Sequence, residues 1–154
     1  MDNMHSKNKS LIYVLQAVVA LSAIFLGGLI YILWRPAEPV FFEWIKWIGL
    51  ENGLEWARNN YFKLSEFVPD WIIYSLPAGL WAFAYSFIIF RIWNRNQSVL
   101  RIFWISTIPV LIFGCELLQL TNSMRGTFSF PDLGISALGI LAGYFLALKF
   151  NKLQ

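Results

Sequence analysis

Charge is scarce in this chain of 154 residues: Asp, Glu, Lys and Arg together make up 14%, against about 25% in soluble domains. So small a share, with so much apolar content, excludes a disordered chain and argues against a water-soluble globule. Cysteine is down to one residue, Cys115, which excludes an intramolecular disulfide and a cysteine-based metal site. It lies in an apolar run, where a thiol behaves as a small buried hydrophobe. Histidine also occurs once, as His5 in a polar N-terminal tail with no role assigned to it. No Ser or Cys nucleophile with a His base, no metal-ligand cluster and no phosphate loop is present, so no catalytic residue and no cofactor or metal is indicated. What is abundant is apolar: 58% hydrophobic residues, 18% aromatic and a mean hydropathy of +0.56.

The apolar residues fall into four runs of membrane-spanning length. A hydrocarbon core of about 30 Å needs roughly 20 residues at about 1.5 Å rise each. Residues 11–34 contain no charge, only Gln16 and Ser22 being distinctly polar, and residues 71–93, 101–120 and 132–149 complete the set. The first run is too long for a signal-peptide core, and no small-x-small cleavage site precedes Arg35-Pro36, so it reads as a retained helix. Pro77 and Pro109 lie inside the second and third runs. Neighbouring helices can re-satisfy a freed carbonyl, so kinks rather than breaks are expected. The fold class is therefore an all-α integral membrane protein, one domain over residues 1–154 with four transmembrane helices.

Orientation follows from Lys and Arg. With the N-terminus in the cytoplasm, the short inner segments hold Lys7, Lys9, Arg91, Arg95, Arg101, Lys149 and Lys152, whereas the longer outer segments hold only Arg35, Lys46, Arg58, Lys63 and Arg125. Glu38, Glu43, Glu51, Glu55, Glu66, Asp70 and Asp132 all fall outside. Both termini are then cytoplasmic, and the net charge of +3 reflects topology without any nucleic-acid partner. The first outer loop, residues 35–70, is too apolar for a solvated linker. Phe41, Trp44, Ile45 and Ile48 recur at helical spacing, and Leu54, Ala57, Tyr61 and Leu64 repeat the pattern after breaks at Gly49 and Gly53. Two short amphipathic helices in the outer interface are expected, either as a cap over the bundle or as a lid or docking surface.

Polar residues inside the membrane mark function by default, because burying them there is expensive. Glu116 is the one carboxylate within a span, with Gln119 on the same face nearly a turn later. Arg125 follows in the connecting loop, and Asp132 opens the fourth helix, where the N-terminal dipole favours an acid. Asp70 opens the second helix in the same way. Asp132, Ser136, Gly139 and Gly143 share one helical face, and Gly139-Ile140-Leu141-Ala142-Gly143 is a GxxxG pattern that lets helix backbones meet. The short loop makes the third and fourth helices antiparallel neighbours. Plainer readings stand beside a shared outer-leaflet site: Asp70 and Asp132 as helix caps, Glu116 with Gln119 as an inter-helix staple, and Arg125 as a lipid-phosphate anchor.

Glu116-x-x-Gln119, then Arg125-Gly126-Thr127-Phe128, Asp132, Gly139 and Gly143 resemble the signature of the VanZ-like membrane protein family over about half the chain. Ser136 stands where many members carry Asn, and Asp70 is followed by Trp71 rather than by the family's Asp-Lys-x-x-His segment. The resemblance implies a bacterial cytoplasmic-membrane protein, and the family's founding member is linked to low-level teicoplanin resistance. Two functions are expected from residues and resemblance together. One is binding or remodelling of an envelope lipid or lipid-linked glycan at Glu116, Gln119, Arg125 and Asp132, with Asp70 and Ser136 at its edge. The other is a non-catalytic subunit or scaffold that docks a membrane-protein partner through the GxxxG face and the aromatic loop.

Overall fold

The structure is a computed structural model that describes residues 2–35, 41–93, 98–123 and 128–151. Every regular element among them is helical: α1 (Asp2–Trp34), α2 (Phe41–Trp47), α3 (Glu51–Tyr61), a 3-10 segment (Phe62–Phe67), α4 (Asp70–Tyr74), α5 (Leu76–Trp93), α6 (Val99–Leu120) and α7 (Phe130–Asn151). Four stretches are long and apolar enough to cross a membrane: Ser10–Trp34, Leu76–Trp93, Val99–Leu120 and Phe130–Asn151. The sequence-derived spans thus reappear with shifted ends. Helix α1 continues back to Asp2 through the expected polar tail, which contains no Pro or Gly to stop it.

The second span starts differently from expectation. Its first turn is a separate short helix, α4, and Ser75 divides it from α5. Pro77 carries no N–H for the carbonyl of Ile73, and its ring crowds that carbonyl, so the helix is interrupted one turn upstream. Ser75 N–H still donates to Trp71 O at 3.0 Å, and Gly79 N–H to Ser75 O at 3.2 Å. The interruption is therefore local. Pro109 leaves α6 unbroken, and the Tyr85 hydroxyl of α5 donates to Trp104 O of α6 at 3.0 Å.

Helix α5 is the centre of the bundle. It runs parallel to α7, with Ser75 against Asp132 at one end and Phe87 against Phe150 at the other. It runs antiparallel to α1, where Gly27 faces Pro77 and Trp81 and Ala20 packs with Phe87. Small residues make the α5–α7 contact possible. A Cβ on Gly139 would overlap the carbonyl oxygen of Gly79, and one on Gly143 would stand 2.5 Å from Phe83 O and 2.9 Å from Phe87 N. Gly79 and Ser86 on α5 meet Gly139 and Gly143 on α7, Ser75 just ahead of α5 meets Asp132, and Ala82, Ser136 and Ala147 are buried in the same bundle, close backbone approach being the usual basis of packing in lipid. The GxxxG face expected from sequence is thus a packing face, and α5 is its partner. Helix α6 is more loosely held and buries a single residue, Glu116.

The segment before α4 lies at the end of the bundle that holds the start of α5. Helix α2 ends at Trp47, and Gly49 just beyond it takes a φ of +76°, which suits glycine. Gly49 N–H donates to Lys46 O and Leu50 N–H to Ile45 O, the two bonds of a Schellman cap. Gly53, expected as a second break, lies within the first turn of α3. Arg58 of α3 donates to Ile32 O at 3.0 Å and to Arg35 O at 3.1 Å, capping the free carbonyls at the end of α1. Trp34 Nε1 donates to Tyr61 O at 2.9 Å, and the Arg35 guanidinium stacks 4.8 Å from the Tyr31 ring centre.

Candidate functional site

Three helix ends meet where α4 passes into α5, α6 finishes and α7 begins. The end of α6 is a second Schellman cap. Asn122 takes φ 55°, its N–H donates to Gln119 O at 3.0 Å, and Ser123 N–H donates to Leu118 O at 2.9 Å. This cap turns the chain sharply after Gln119. The start of α7 is set by Ser129, whose carbonyl accepts the first helical bond from Leu133 N–H at 3.3 Å. Its hydroxyl accepts from Asp132 N–H at 3.4 Å, the N-cap half of a capping-box arrangement. Ser129 is therefore the N-cap, and Asp132 is three residues inside it, which frees the Asp132 carboxylate for other partners.

That carboxylate turns toward α5. The Ser75 hydroxyl, buried at the helix interruption, donates to Asp132 Oδ1. On the other side, Ser129 N–H donates to Glu116 Oε2 at 3.1 Å. A chain of hydrogen bonds thus links the α4–α5 junction to α7 through Ser75 and Asp132, and α7 to α6 through Ser129 and Glu116. Glu116 is only 8% exposed, and neither carboxylate forms an ion pair among the described residues. A bond from a hydroxyl to a carboxylate contributes about 1.5–3 kcal/mol. Without it, the Ser75 hydroxyl would be stranded in an apolar surround.

The expected residues divide accordingly. Glu116 and Asp132 are brought together through Ser129. Ser136 is buried one turn below Asp132, on the side that faces α5. Gln119 is half-buried one turn beyond Glu116 and bonds to none of these groups among the described residues. Asp70 is exposed at the first position of α4, Pro69 being the N-cap there, and makes no side-chain cap bond. It is outside the cluster, and the plain capping role considered for it is also not formed. Arg125 lies outside the described residues. No group of three or more His, Cys, Asp or Glu suited to a metal occurs among the described residues.

No protein-family model, curated protein or solved structure matches this chain. The chemistry must therefore be read from the residues themselves. Two carboxylates and two serine hydroxyls make a site rich in hydrogen-bond acceptors at one end of an apolar bundle, suited to hydroxyl or amine donors. Ser75 and Ser129 were not singled out from sequence, although both leave a signal. Ser129-x-x-Asp132 is a capping-box pattern, and Ser75 heads the 75, 79, 82, 86 row of small residues, at steps of four, three and four.

Proposed function

We propose that the Ser75–Asp132–Ser129–Glu116 cluster is an outer-leaflet site that binds or remodels an envelope lipid or lipid-linked glycan. The observation that carries this reading is Glu116. Helix α6 buries one residue among its 22, and that residue is a carboxylate. Structural packing alone would place a small or apolar side chain there, since an ionisable group is among the costliest to insert. Hydroxyl-rich headgroups supply the donors that Glu116 and Asp132 accept, and Arg125 supplies a cation for a phosphate. The positive-inside distribution supports the accompanying topology, with both termini cytoplasmic, the cluster at the outer face and α2 and α3 lying in the outer interface. In this reading the protein is a VanZ-like component of a bacterial cytoplasmic membrane that affects lipoglycopeptide susceptibility.

The test is complementation of a deletion strain, read as teicoplanin susceptibility, with membrane levels of each variant checked by immunoblot. Glu116→Gln, Asp132→Asn and Arg125→Ala are expected to insert at wild-type levels and to lose function. Wild-type susceptibility in all three would overturn the proposal. A second reading, a scaffold for a membrane-protein complex, is favoured by the exposed aromatic side chains of Trp44, Trp47, Trp56 and Phe67 around α2 and α3. It predicts a co-purifying protein that is lost when Trp44 and Trp47 are replaced by Ala, whereas the lipid reading predicts a co-purifying lipid.

A further inference from the structure

At the opposite end of the bundle, α1 and α5 enclose a groove of about 370 Å³ lined by Tyr13, Gln16 and Ala20 from α1 and by Phe87, Arg91 and Ile92 from α5. Its size is within the range of about 300–1,000 Å³ usual for ligand sites. It lies some 16 residues along α5 from Ser75, roughly 24 Å at helical rise, so it is separate from the cluster described above. The groove surface is almost wholly apolar, Gln16 and Arg91 being the strongly polar residues among those that line it. Ala20 packs on Phe87, and on antiparallel helices the next turn toward the end brings Gln16 level with Arg91. Gln16 is 9% exposed, and its Nε2 has no hydrogen-bond partner among the described residues. A buried amide donor without an acceptor is uncommon in a folded protein. The terminal torsion of an amide is broad, so a rotation there would turn the Nε2 toward an acceptor in the groove.

We propose that this groove holds one anionic phospholipid. An acyl chain lies along Ala20 and Phe87, a glycerol-ester carbonyl accepts from the Gln16 amide, and the phosphate sits on the Arg91 guanidinium. Charge complementarity selects this occupant. The helix ends gathered here carry Arg101 and Lys149 as well as Arg91. Basic pockets between membrane helices are the recurring form of anionic-headgroup sites, and an arginine at a helix end reaches the headgroup while its stem covers apolar surface.

Native mass spectrometry of the full chain in detergent, titrated with phosphatidylglycerol or with phosphatidylcholine of the same acyl chains, tests this. The wild type is expected to take up one phosphatidylglycerol about fivefold more tightly than phosphatidylcholine, as one interfacial cation supports. Arg91→Gln should remove that preference, and Arg91→Lys should keep it. Arg101→Gln, at the same end but outside the groove, should also keep it. Gln16→Leu should weaken both lipids about threefold without changing their ratio, the loss expected for one membrane hydrogen bond. Equal wild-type affinity for the two lipids overturns the proposal. So does a loss of preference in Arg101→Gln equal to that in Arg91→Gln, which would mean a diffuse cationic belt. If Arg91→Gln fails to fold, unchanged lipid affinity in Gln16→Leu is equally decisive against it.

Discussion

Gly143 on α7 gives a sharp test of how this bundle is held. A methyl group added there would stand 2.5 Å from Phe83 O, 2.9 Å from Phe87 N and 3.1 Å from Ser86 Cβ. Two of those atoms are backbone and cannot rotate away. Ordinary contact begins near 3.4 Å, so α5 and α7 must part by roughly 0.9 Å, and a gap of that size forfeits about a quarter to a half of each dispersion well along the seam. Overpacking of this kind costs about 1–3 kcal/mol. Alanine regains about 0.5–1 kcal/mol of helix propensity over glycine; with two rigid backbone clashes placing the cost in the upper half of its range, Gly143→Ala is left with a net loss of roughly 1–2.5 kcal/mol. Gly134→Ala and Gly114→Ala are the controls, since nothing lies within 4 Å of either added Cβ, and both should be neutral or slightly stabilised. Thermal unfolding in one detergent, followed by the monodisperse fraction on size exclusion, ranks the three variants. Equal midpoints for Gly143→Ala and Gly134→Ala would refute close α5–α7 packing as the organising contact.

Two further outcomes rest on single side chains. Ser129→Ala removes the N-cap of α7 and should destabilise the fold by about 1 kcal/mol. Ser129→Asp, which keeps a capping oxygen but adds charge beside Glu116, should fail to rescue, as unfolding midpoints will show. Arg58→Ala frees the Ile32 and Arg35 carbonyls at the end of α1. It should loosen α3 more than the bundle, read as faster proteolysis within residues 51–67 at an unchanged unfolding midpoint.

The four spans are legible in sequence because hydrocarbon thickness sets helix length and the membrane punishes unpaired charge, so run length and charge position suffice. The α7 face is legible for a similar reason: Asp132, Ser136, Gly139 and Gly143 recur at helical spacing whatever they touch. Their partner is another matter. A short loop suggests pairing of α7 with α6, yet α7 packs backbone to backbone on α5, two helices back in the chain, because the stretch from Ser75 into α5 carries the small residues at 75, 79, 82 and 86. Ser75 illustrates the same limit. As a residue it is one hydroxyl in an apolar run, and its significance comes from Pro77, which interrupts the helix beside it, and from Asp132, 57 positions away. Asp70 and Asp132 look alike in sequence, each at a helix start next to a proline, and only their surroundings separate an exposed acid from one bonded across two helices.

Composition and charge placement, then, determined by themselves that this chain is helical and apolar, with four stretches long and apolar enough to cross a membrane, since those properties depend on each residue's affinity for hydrocarbon or water. Tertiary structure decided which helices touch, which serines join the carboxylates, and that the one buried residue of α6 is Glu116. Those outcomes depend on the shapes of facing helix surfaces, and shape complementarity between distant segments is a property of pairs that no single stretch of sequence carries.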